Sequence, residues 1–360
     1  MTQNQSNSKR FPVSRRAFVL ASSAIAAPAF LHGTARAQGR PLNFLTWGGR
    51  FGQGVRKGFS DPFTAKTGIV ITDITPYNYG RFVTALQNRN PENFDLAWFS
   101  DEIEPARAGA MGLLEKLDYS LLPNAPKALA SARQDFAVSP YVTTYQVGFR
   151  ADRWPTKPQS WSDFWDVAKF PGARSIGTNV MGVLEAALLA DGVAPSALYP
   201  LDEERAYRKL AQIKPHIRLF HNTSGAQPAR QALYQGDLAM MLSWSSDFIA
   251  QKVAGKPIDI IWNGGFYFSP SVGIAKGSPY AKQAHAYLDQ FFQEQAALAF
   301  VKEWPTTPVL TSVAAAMTEQ ERQQTAAGNL DKMVNLNRAY YLQNQTRLQE
   351  RYDAWRVLGT

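Results

Sequence analysis

The stretch Asn43-Phe44-Leu45-Thr46-Trp47-Gly48-Gly49-Arg50-Phe51 decides how the rest of the chain is interpreted. Its apolar residues predict a buried strand, and the glycine pair predicts a turn at which the backbone approaches another group closely. Trp47 stands at the end of that strand. A ring at this position either stacks on a ligand or packs in the core beside the turn, and this stretch alone leaves both open.

Helix and strand signals alternate after this stretch. Residues 54–66 place Val55, Phe59 and Phe63 at four-residue spacing, which predicts a helix. The next predicted elements are a strand at 69–74, a helix at 79–88, a strand at 94–99 and a helix at 103–111. Such alternation predicts a parallel sheet with helices on both faces. Ligands of such sheets bind at the carboxyl ends of the strands.

A second alternation fills the rest of the chain. The β-type run at 141–149 predicts a segment that crosses between two lobes. Further strands are predicted at 175–177, 216–221 and 238–244, and as a pair within 264–274. Further helices are predicted at 181–191, 203–214, 226–235, 278–295 and largely through 319–356. The pattern therefore predicts two α/β lobes.

Charge and cysteine content exclude several classes of function. The formal charge is +9, but the first 37 residues hold five basic residues and no acidic one. Without them 33 basic and 29 acidic residues remain, a net charge of +4. This mild, dispersed charge argues against a nucleic-acid partner. The chain has no cysteine, which excludes disulfides, thiolate metal sites and cysteine nucleophiles.

The first 37 residues predict an export signal that is cleaved before Gln38. A basic leader precedes an apolar stretch at 17–31, and Ala35-Arg36-Ala37 is a small-x-small cleavage site. The apolar stretch is too short for a membrane span, which needs roughly 20 residues. Ser14-Arg15-Arg16-Ala17-Phe18 resembles the twin-arginine motif, although Val19-Leu20 departs from its usual Leu-Lys. We expect a periplasmic protein, with the twin-arginine and general secretion routes both open.

The order of motifs resembles the extracellular solute-binding proteins of ABC importers, most closely the spermidine/putrescine-binding group. The resemblance covers nearly all of the chain after the signal. It is carried by Leu45-Thr46-Trp47, by Phe94-Asp95-Leu96 followed by Gly112-Leu113-Leu114, by Trp161-Ser162-Asp163-Phe164 with Pro171-Gly172, by Gly236-Asp237-Leu238-Ala239-Met240, and by Trp304-Pro305-Thr306-Thr307-Pro308. Each motif is weak alone, but five in this order behind an export signal are specific.

The resemblance implies an α/β, two-lobed periplasmic-binding-protein fold. Its two doubly wound lobes are joined by hinge strands, and the ligand cleft lies between them. We expect lobe 1 to comprise 38–144 plus about 271–312, and lobe 2 to comprise 145–270 plus about 313–360. The implied function is capture of a small solute by hinge closure and delivery to a membrane permease. It implies a monomer that performs no catalysis and carries no cofactor or metal.

The ligand predicted from the residues differs from that of the polyamine binders. In that group carboxylates pair with ammonium groups while aromatic rings cover the methylenes. Neutral residues replace those acids here, at 177–182 and at Ser269-Pro270. Because burying an unpaired charge is costly, we predict a zwitterionic or anionic solute such as an amino-acid conjugate, an opine or a sugar acid. A polyamine binder with a rearranged site is the alternative.

The candidate site combines aromatic rings at positions that match the resembled family, namely Trp47, Trp244, Phe268 and Trp304, with polar side chains near predicted strand ends and loops. The predicted ligand-binding residues are Trp47, Gly49, Arg50, Asn78, Ser100, Glu102, Thr178, Asn179, Ser224, Trp244, Ser245, Phe268, Ser269 and Trp304. The guanidinium of Arg50 suits a carboxylate, or is a solvated surface group. Thr178-Asn179 either adds helix amides to an anion site or caps a helix. Glu102, the one acid expected near a strand end, accepts an amine or hydroxyls, or stabilises a helix turn.

An exported hydrolase that uses the same cleft is the competing function. His216 and His221 are five residues apart in a β-type segment, so they point to opposite faces and suit a shared metal poorly. A Gly-x-Ser-x-Gly elbow, a phosphate loop and a dinucleotide fingerprint are all absent from the sequence. The sequence therefore favours a binding protein over an enzyme.

Overall fold

The computed structural model describes residues 40–88, 94–222 and 226–358. The predicted export signal and Ser224 lie outside these residues. The strands are β1 Leu42–Leu45, β2 Ile71–Ile74, β3 Leu96–Phe99, β4 Tyr141–Arg150, β5 Arg174–Gly177, β6 Ile217–His221, β7 Met240–Trp244, β8 Ile258–Ile260, β9 Phe266–Phe268, β10 Ser271–Ile274 and β11 Thr307–Pro308. They form two separate sheets, and the order of strands shows how the chain moves between them.

Helices cover both sheets. They are α1 Gly49–Val55, α2 Asp61–Thr67, α3 Tyr79–Gln87, α4 Ile103–Ala110, α5 Trp161–Trp165, α6 Val183–Ala190, α7 Glu203–Ile213, α8 Gln227–Gln235, α9 Ser245–Val253, α10 Ala281–Gln290, α11 Glu294–Glu303, α12 Thr311–Ala315, α13 Glu319–Gln323 and α14 Arg338–Leu358. Among the residues that the structure describes, no helix is long and apolar enough to cross a membrane.

The first sheet has the order β10-β3-β1-β2. Strand β1 runs parallel to β2 and β3, and β10 closes the sheet antiparallel to β3. Because successive side chains of a strand point to opposite faces, Phe44 and Leu45 of β1 enter different cores. Phe44 packs beside Trp98 and Tyr287, with ring centroids 5.6 and 5.8 Å away, whereas Leu45 joins the cluster of α3 and α4. Both faces of this sheet are therefore buried.

The helix after β1 begins earlier than its periodicity predicts. Gly48 and Gly49 have φ of 75° and 59°, a left-handed backbone that glycine adopts without a steric penalty. This turn lets α1 start at Gly49 instead of residue 54, and a π-helical segment, Arg56–Ser60, joins it to α2. The strand end at Trp47 is therefore followed directly by a helix N-terminus.

The second sheet has the order β11-β4-β7-β5-β6, with β8 and β9 also paired to β4. Strand β5 runs parallel to β6 and β7, while β4 pairs antiparallel with its neighbours. The two strands predicted within 264–274 are present as β9 and β10, but they belong to different sheets and do not pair with each other. The chain crosses between the sheets in the two residues that separate them, a connection that apolar pattern alone does not distinguish from a hairpin.

The C-terminal region is less helical than predicted. A short helix, α13, and two 3-10 turns at Ala326–Gly328 and Leu330–Lys332 precede the long helix α14. Helix α14 buries Tyr341, Leu348, Tyr352 and Trp355 in the core of the second sheet. These buried aromatic residues fix the last helix to that sheet.

Candidate functional site

A cleft with two cavities lies at the carboxyl ends of the strands, between the two sheets. The tryptophan cavity, of about 460 Å³, is lined by Trp47, Trp244, Trp304 and residues of α8 and α9. The carboxyl cavity, of about 550 Å³, is lined by Asp101, Glu104 and residues of α14 among others. Ser100 and Trp244 line both, so the two cavities share a wall.

Aromatic rings hold one another in place around the tryptophan cavity. Trp47 meets Phe51, Tyr77 and Trp98 at centroid distances of 4.8, 5.5 and 5.7 Å. Trp304 packs edge-on to Phe51 at 5.6 Å. The side chain of Trp47 is only partly buried and lines the cavity. Both interpretations of the opening stretch therefore describe Trp47, which packs on one side and faces the cleft on the other.

A second aromatic wall comes from the second sheet. Trp244, at the end of β7, packs edge-on to Tyr145 and Phe268, each with centroids 5.1 Å away. Phe268 lines the carboxyl cavity, and Trp244 lines both cavities. Rings from both sheets thus face the cleft, a geometry suited to covering the apolar part of a ligand from two sides.

Charged groups of both signs lie in the tryptophan cavity. Arg50 is exposed at the start of α1, and its Nη2 donates to the backbone oxygen of Glu303 at 3.5 Å. Among the described residues no carboxylate pairs with Arg50. Across the cavity, Nη1 of Arg230 pairs with Oδ2 of Asp247 at 2.7 Å. Burial raises the pKa of Asp247, and the attraction of Arg230 opposes that shift.

Sequence reasoning missed the pair of Arg230 and Asp247. The two residues are on α8 and α9, 17 positions apart. The apolar periodicity of these helices does not indicate that either residue faces a cleft. Its position could have indicated Asp247, because it lies two residues after Ser245, just past the end of the strand predicted at 238–244. The prediction named Ser245, which is buried and does not line either cavity.

Two carboxyl groups, Asp101 and Glu104, face the carboxyl cavity. Oδ1 of Asp101 accepts hydrogen bonds from the backbone N–H of Ile103 and of Glu104 at 2.7 and 2.9 Å. Oε2 of Glu104 accepts from the hydroxyl of Tyr77 at 2.6 Å and from the backbone N–H of Ser100 at 2.8 Å. Burial raises the pKa of Asp101, and burial together with the neighbouring Asp101 raises the pKa of Glu104 to about 8. This wall is therefore partly protonated near neutral pH.

These two groups change the expectation about Glu102, which is not the one acid near this strand end. Glu102 is buried, pairs with Arg338 and accepts from the backbone N–H of Ser269 at 2.9 Å. Neither Glu102 nor Ser269 lines either cavity. Because Glu102 and Asp101 are neighbours in sequence at a helix start, the direction of each carboxyl depends on packing, which the sequence does not specify.

The opposite wall of the carboxyl cavity comes from the loop after β5 and from α14. The side chain of Gln349 donates to the backbone oxygen of Thr178 at 2.8 Å and accepts from the N–H of Val180 at 2.9 Å. Oδ1 of Asn179 accepts from the N–H of Met181 at 2.9 Å. The amides ahead of α6 thus already have partners within the protein, which is the helix-cap arrangement rather than an open anion site. Gln345 and Gln349 line the cavity and were not predicted.

Five further predicted residues line one or both cavities. Gly49 and Ser100 line the tryptophan cavity, and Thr178, Asn179 and Asn78 line the carboxyl cavity. Oδ1 of Asn78 also caps α3 by accepting from the N–H of Arg81 at 2.8 Å. That any of these residues contacts a ligand stays a prediction.

Metal-binding clusters and serine–histidine contacts bear on the competing function of an exported hydrolase. Within the described part of the chain no cluster of three His, Asp or Glu residues is suited to a metal ion. His221 is buried with Nδ1 2.7 Å from Oγ of Ser175, and burial lowers its pKa to about 4. A serine and histidine in contact suggest a nucleophile and base, but both lie in the sheet interior and neither lines either cavity.

Two α/β halves that enclose an aromatic and charged cleft define a periplasmic-binding-protein fold, as the sequence predicted. Residues 59–327 match the family model described as bacterial extracellular solute-binding protein, and the chain belongs to that family. An ABC transporter substrate-binding protein from Bradyrhizobium japonicum has a similar structure, with a TM-score of 0.81 and 28% identity, covering 88% of this chain and 99% of that one. The predicted fold and the predicted function as a solute-binding protein of ABC import are confirmed.

Two relatives with similar sequences are named for different ligands. The gamma-aminobutyric acid-binding protein of Pseudomonas aeruginosa is 28% identical over 328 residues, which cover 89% of this chain and 92% of the relative. The spermidine/putrescine-binding periplasmic protein of Escherichia coli is 24% identical over 235 residues, covering 61% of this chain and 64% of the relative. The chain is thus similar over nearly its whole length to a binder of an amino acid.

Proposed function

We propose that this protein captures a small zwitterionic or anionic organic solute in the periplasm and delivers it to the permease of an ABC importer. Among candidate solutes, ω-amino acids such as γ-aminobutyrate come first, followed by amino-acid conjugates, opines and sugar acids. The observation that carries the proposal is the tryptophan cavity, in which aromatic walls surround Arg50, a guanidinium with no carboxylate partner among the described residues.

The charges of that cavity suit a zwitterion. A ligand carboxylate bound by Arg50 gains charge-assisted hydrogen bonds from a planar donor. A ligand ammonium finds the faces of the tryptophan rings, which attract cations, and a carboxylate, Asp247, that it shares with Arg230. Since Asp247 is already neutralised by Arg230 at 2.7 Å, the cavity offers no surplus negative charge. A ligand with both charges leaves fewer unpaired groups here than a dication does.

A polyamine is the second candidate, and the carboxyl cavity favours it. Asp101 and Glu104 both line this cavity, where their carboxyl groups could pair with the ammonium groups of a polyamine. Their raised pKa values weigh against it, because the pair holds a proton near neutral pH and offers less than two negative charges. The similarity to the spermidine/putrescine-binding relative also covers less of the chain than the similarity to the γ-aminobutyrate binder.

A ligand screen tests the proposal directly. Purified protein is melted with γ-aminobutyrate, an opine, gluconate, putrescine or spermidine, and each hit is then titrated by calorimetry. A ligand that binds only the folded protein stabilises it by about 2.7 kcal/mol at a hundred times its Kd. We expect stabilisation by γ-aminobutyrate or an acidic solute. Stabilisation by the polyamines alone contradicts the proposed ligand class, and consumption of a hit contradicts the proposal that the protein is not an enzyme.

The proposed organisation of the molecule follows the sequence prediction. Lobe 1 comprises 38–144 plus about 271–312, and lobe 2 comprises 145–270 plus about 313–360. In support, Tyr141 and Val142 of β4 pack in the core of the first sheet, whereas Tyr145 and Val147 of the same strand pack in the core of the second. We also propose a monomer with no nucleic-acid partner, exported by a signal cleaved near Gln38. N-terminal sequencing of the secreted protein tests the cleavage site.

A further inference from the structure

A buried carboxyl group, that of Glu102, connects parts of the molecule that belong to different sheets. Glu102 directly precedes α4, which follows β3 of the first sheet. Its carboxylate pairs with Arg338, the first residue of α14, and accepts from the N–H of Ser269. Ser269 lies in the segment between β9 and β10, where the chain passes from the second sheet to the first. One side chain thus contacts both the crossing segment and a helix of the second sheet.

Two further contacts join α4 to α14. Nη2 of Arg107 donates to Oε1 of Gln345 at 2.7 Å, across 238 positions of sequence. Ile103 is buried in the hydrophobic cluster that contains Tyr341 of α14, whereas Ala108 of the same helix is buried in a cluster of the first sheet. Helix α4 therefore packs on both sides of the cleft through apolar, polar and ionic contacts.

We propose that Glu102 and Arg338 form an interlobe junction whose closure is coupled to proton uptake, and that Glu102 acts as a positioning residue without contacting the solute. The junction lies behind the carboxyl cavity, because Asp101 and Gln345 next to it line that cavity. Holding α4 against α14 fixes the distance between the two walls. The inference rests on the proposed function only in assuming that the lobes open and close about the crossing segments.

The charges around Glu102 give the direction of the proton coupling. Burial raises the pKa of Glu102 to about 7, opposed by Arg338 and increased by Asp101. Arg338 faces Glu102 from α14, and Asp101 precedes Glu102 in the chain. Asp101 is in turn influenced by Arg107 of α4. In the proposed open form the carboxyl of Glu102 lies in water, where its ordinary pKa is lower, so the closed arrangement binds more protons. Closure is therefore favoured as the pH falls through about 7 and loses this contribution above it.

The size of the effect follows from the two pKa values. If the carboxyl regains the ordinary pKa of a glutamate on opening, lowering the pH from 8.5 to 5.5 shifts the closing equilibrium by about 30-fold through Glu102. Arg338→Gln removes the counter-charge, so it opposes closure at pH 8.5 and has little effect at pH 5.5. Glu102→Gln, which cannot ionise, removes the contribution of Glu102 at every pH.

Electron–electron distance measurements on solute-free protein test the junction. Because the chain has no cysteine, spin labels attach only to the introduced pair Leu121→Cys and Val253→Cys, whose side chains are exposed on opposite halves. We expect the closed fraction to rise from pH 8.5 to 5.5, by several-fold less in Glu102→Gln. Arg338→Gln should reduce the closed fraction at pH 8.5, and adding Glu102→Gln should abolish that reduction.

Controls separate the junction from general effects. Arg347→Gln removes another α14 arginine, one that pairs with Glu203 of the second half, and should leave the pH response unchanged. Arg338→Lys keeps the positive charge and should show the wild-type pH response. If instead the effect of Arg338→Gln came from a folding defect, keeping the charge would not remove it. A full pH response in Glu102→Gln, or an Arg338→Gln effect that persists in the double variant, overturns the proposal. A failure of the ligand proposal appears separately, as distances that respond to pH but not to γ-aminobutyrate.

Discussion

Replacing Arg50 by glutamine removes the charge that the proposed ligand carboxylate needs while leaving the fold intact. The side chain is exposed and makes one long hydrogen bond to a backbone oxygen. A surface substitution of this kind changes the free energy of unfolding by less than about 0.5 kcal/mol. The charged hydrogen bond to a ligand is worth about 1.5–3 kcal/mol when buried, and less in a cleft open to water.

We take about 1–2 kcal/mol for this contact, which corresponds to roughly a 5- to 30-fold increase in Kd. Calorimetric titration with γ-aminobutyrate measures it, and Arg50→Lys should recover part of the loss because it keeps the charge without the planar fork. Removing this positive charge should also improve binding of putrescine, the dication that the native site disfavours.

The matched control is Lys57→Gln. Lys57 is exposed, and its Nζ pairs with Oε1 of Glu303 at 2.9 Å, so it also contacts Glu303 without lining either cavity. The control should bind γ-aminobutyrate with unchanged affinity. An unchanged affinity in Arg50→Gln, or an equal loss in Lys57→Gln, refutes a direct contact between Arg50 and the ligand carboxylate.

Three other substitutions test the cleft and its frame. Trp47→Ala should weaken binding by about 1–2 kcal/mol, whereas Trp165→Ala, a partly buried tryptophan outside both cavities, should lower the melting temperature without changing calorimetric affinity. Gly58→Ala places a Cβ 2.6–2.9 Å from the Cβ and backbone atoms of Phe300 on α11, so it should destabilise the fold by about 1–3 kcal/mol, as measured by urea denaturation. The control is Gly52→Ala, whose added Cβ has nothing within 4 Å and should not destabilise. Burial raises the pKa of Glu104 to about 8, above its unfolded value, so its stabilising contribution is complete at low pH and is lost as the pH rises through about 8. The stability of Glu104→Gln relative to wild type should therefore increase as the pH rises from about 5 to about 8 and stay constant above that. Melting profiles of the two proteins that run parallel from pH 5 to 8 contradict this.

The tertiary structure decided which polar groups face the cleft. Asp101, Glu102 and Glu104 are adjacent in sequence, yet only Asp101 and Glu104 line a cavity, whereas Glu102 turns to Arg338 of a helix more than 200 residues later. In the loop ahead of α6, the N–H of Val180 and the backbone oxygen of Thr178 both bond to Gln349 of α14, a partner that sequence spacing cannot associate with them. Side-chain direction at a helix start depends on these distant partners, so local pattern leaves it open.

The sequence by itself determined the fold class, the family and the aromatic part of the cleft. Alternating apolar periods define parallel sheets, and parallel sheets bind ligands at strand ends, which is the reason for expecting Trp47 in the cleft. Trp244 and Trp304 were expected there from the family resemblance, and all three line the tryptophan cavity. The charged part of the cleft was decided only by the tertiary structure, because the pair of Arg230 and Asp247 and the contacts of α4 with α14 exist only once separate elements pack.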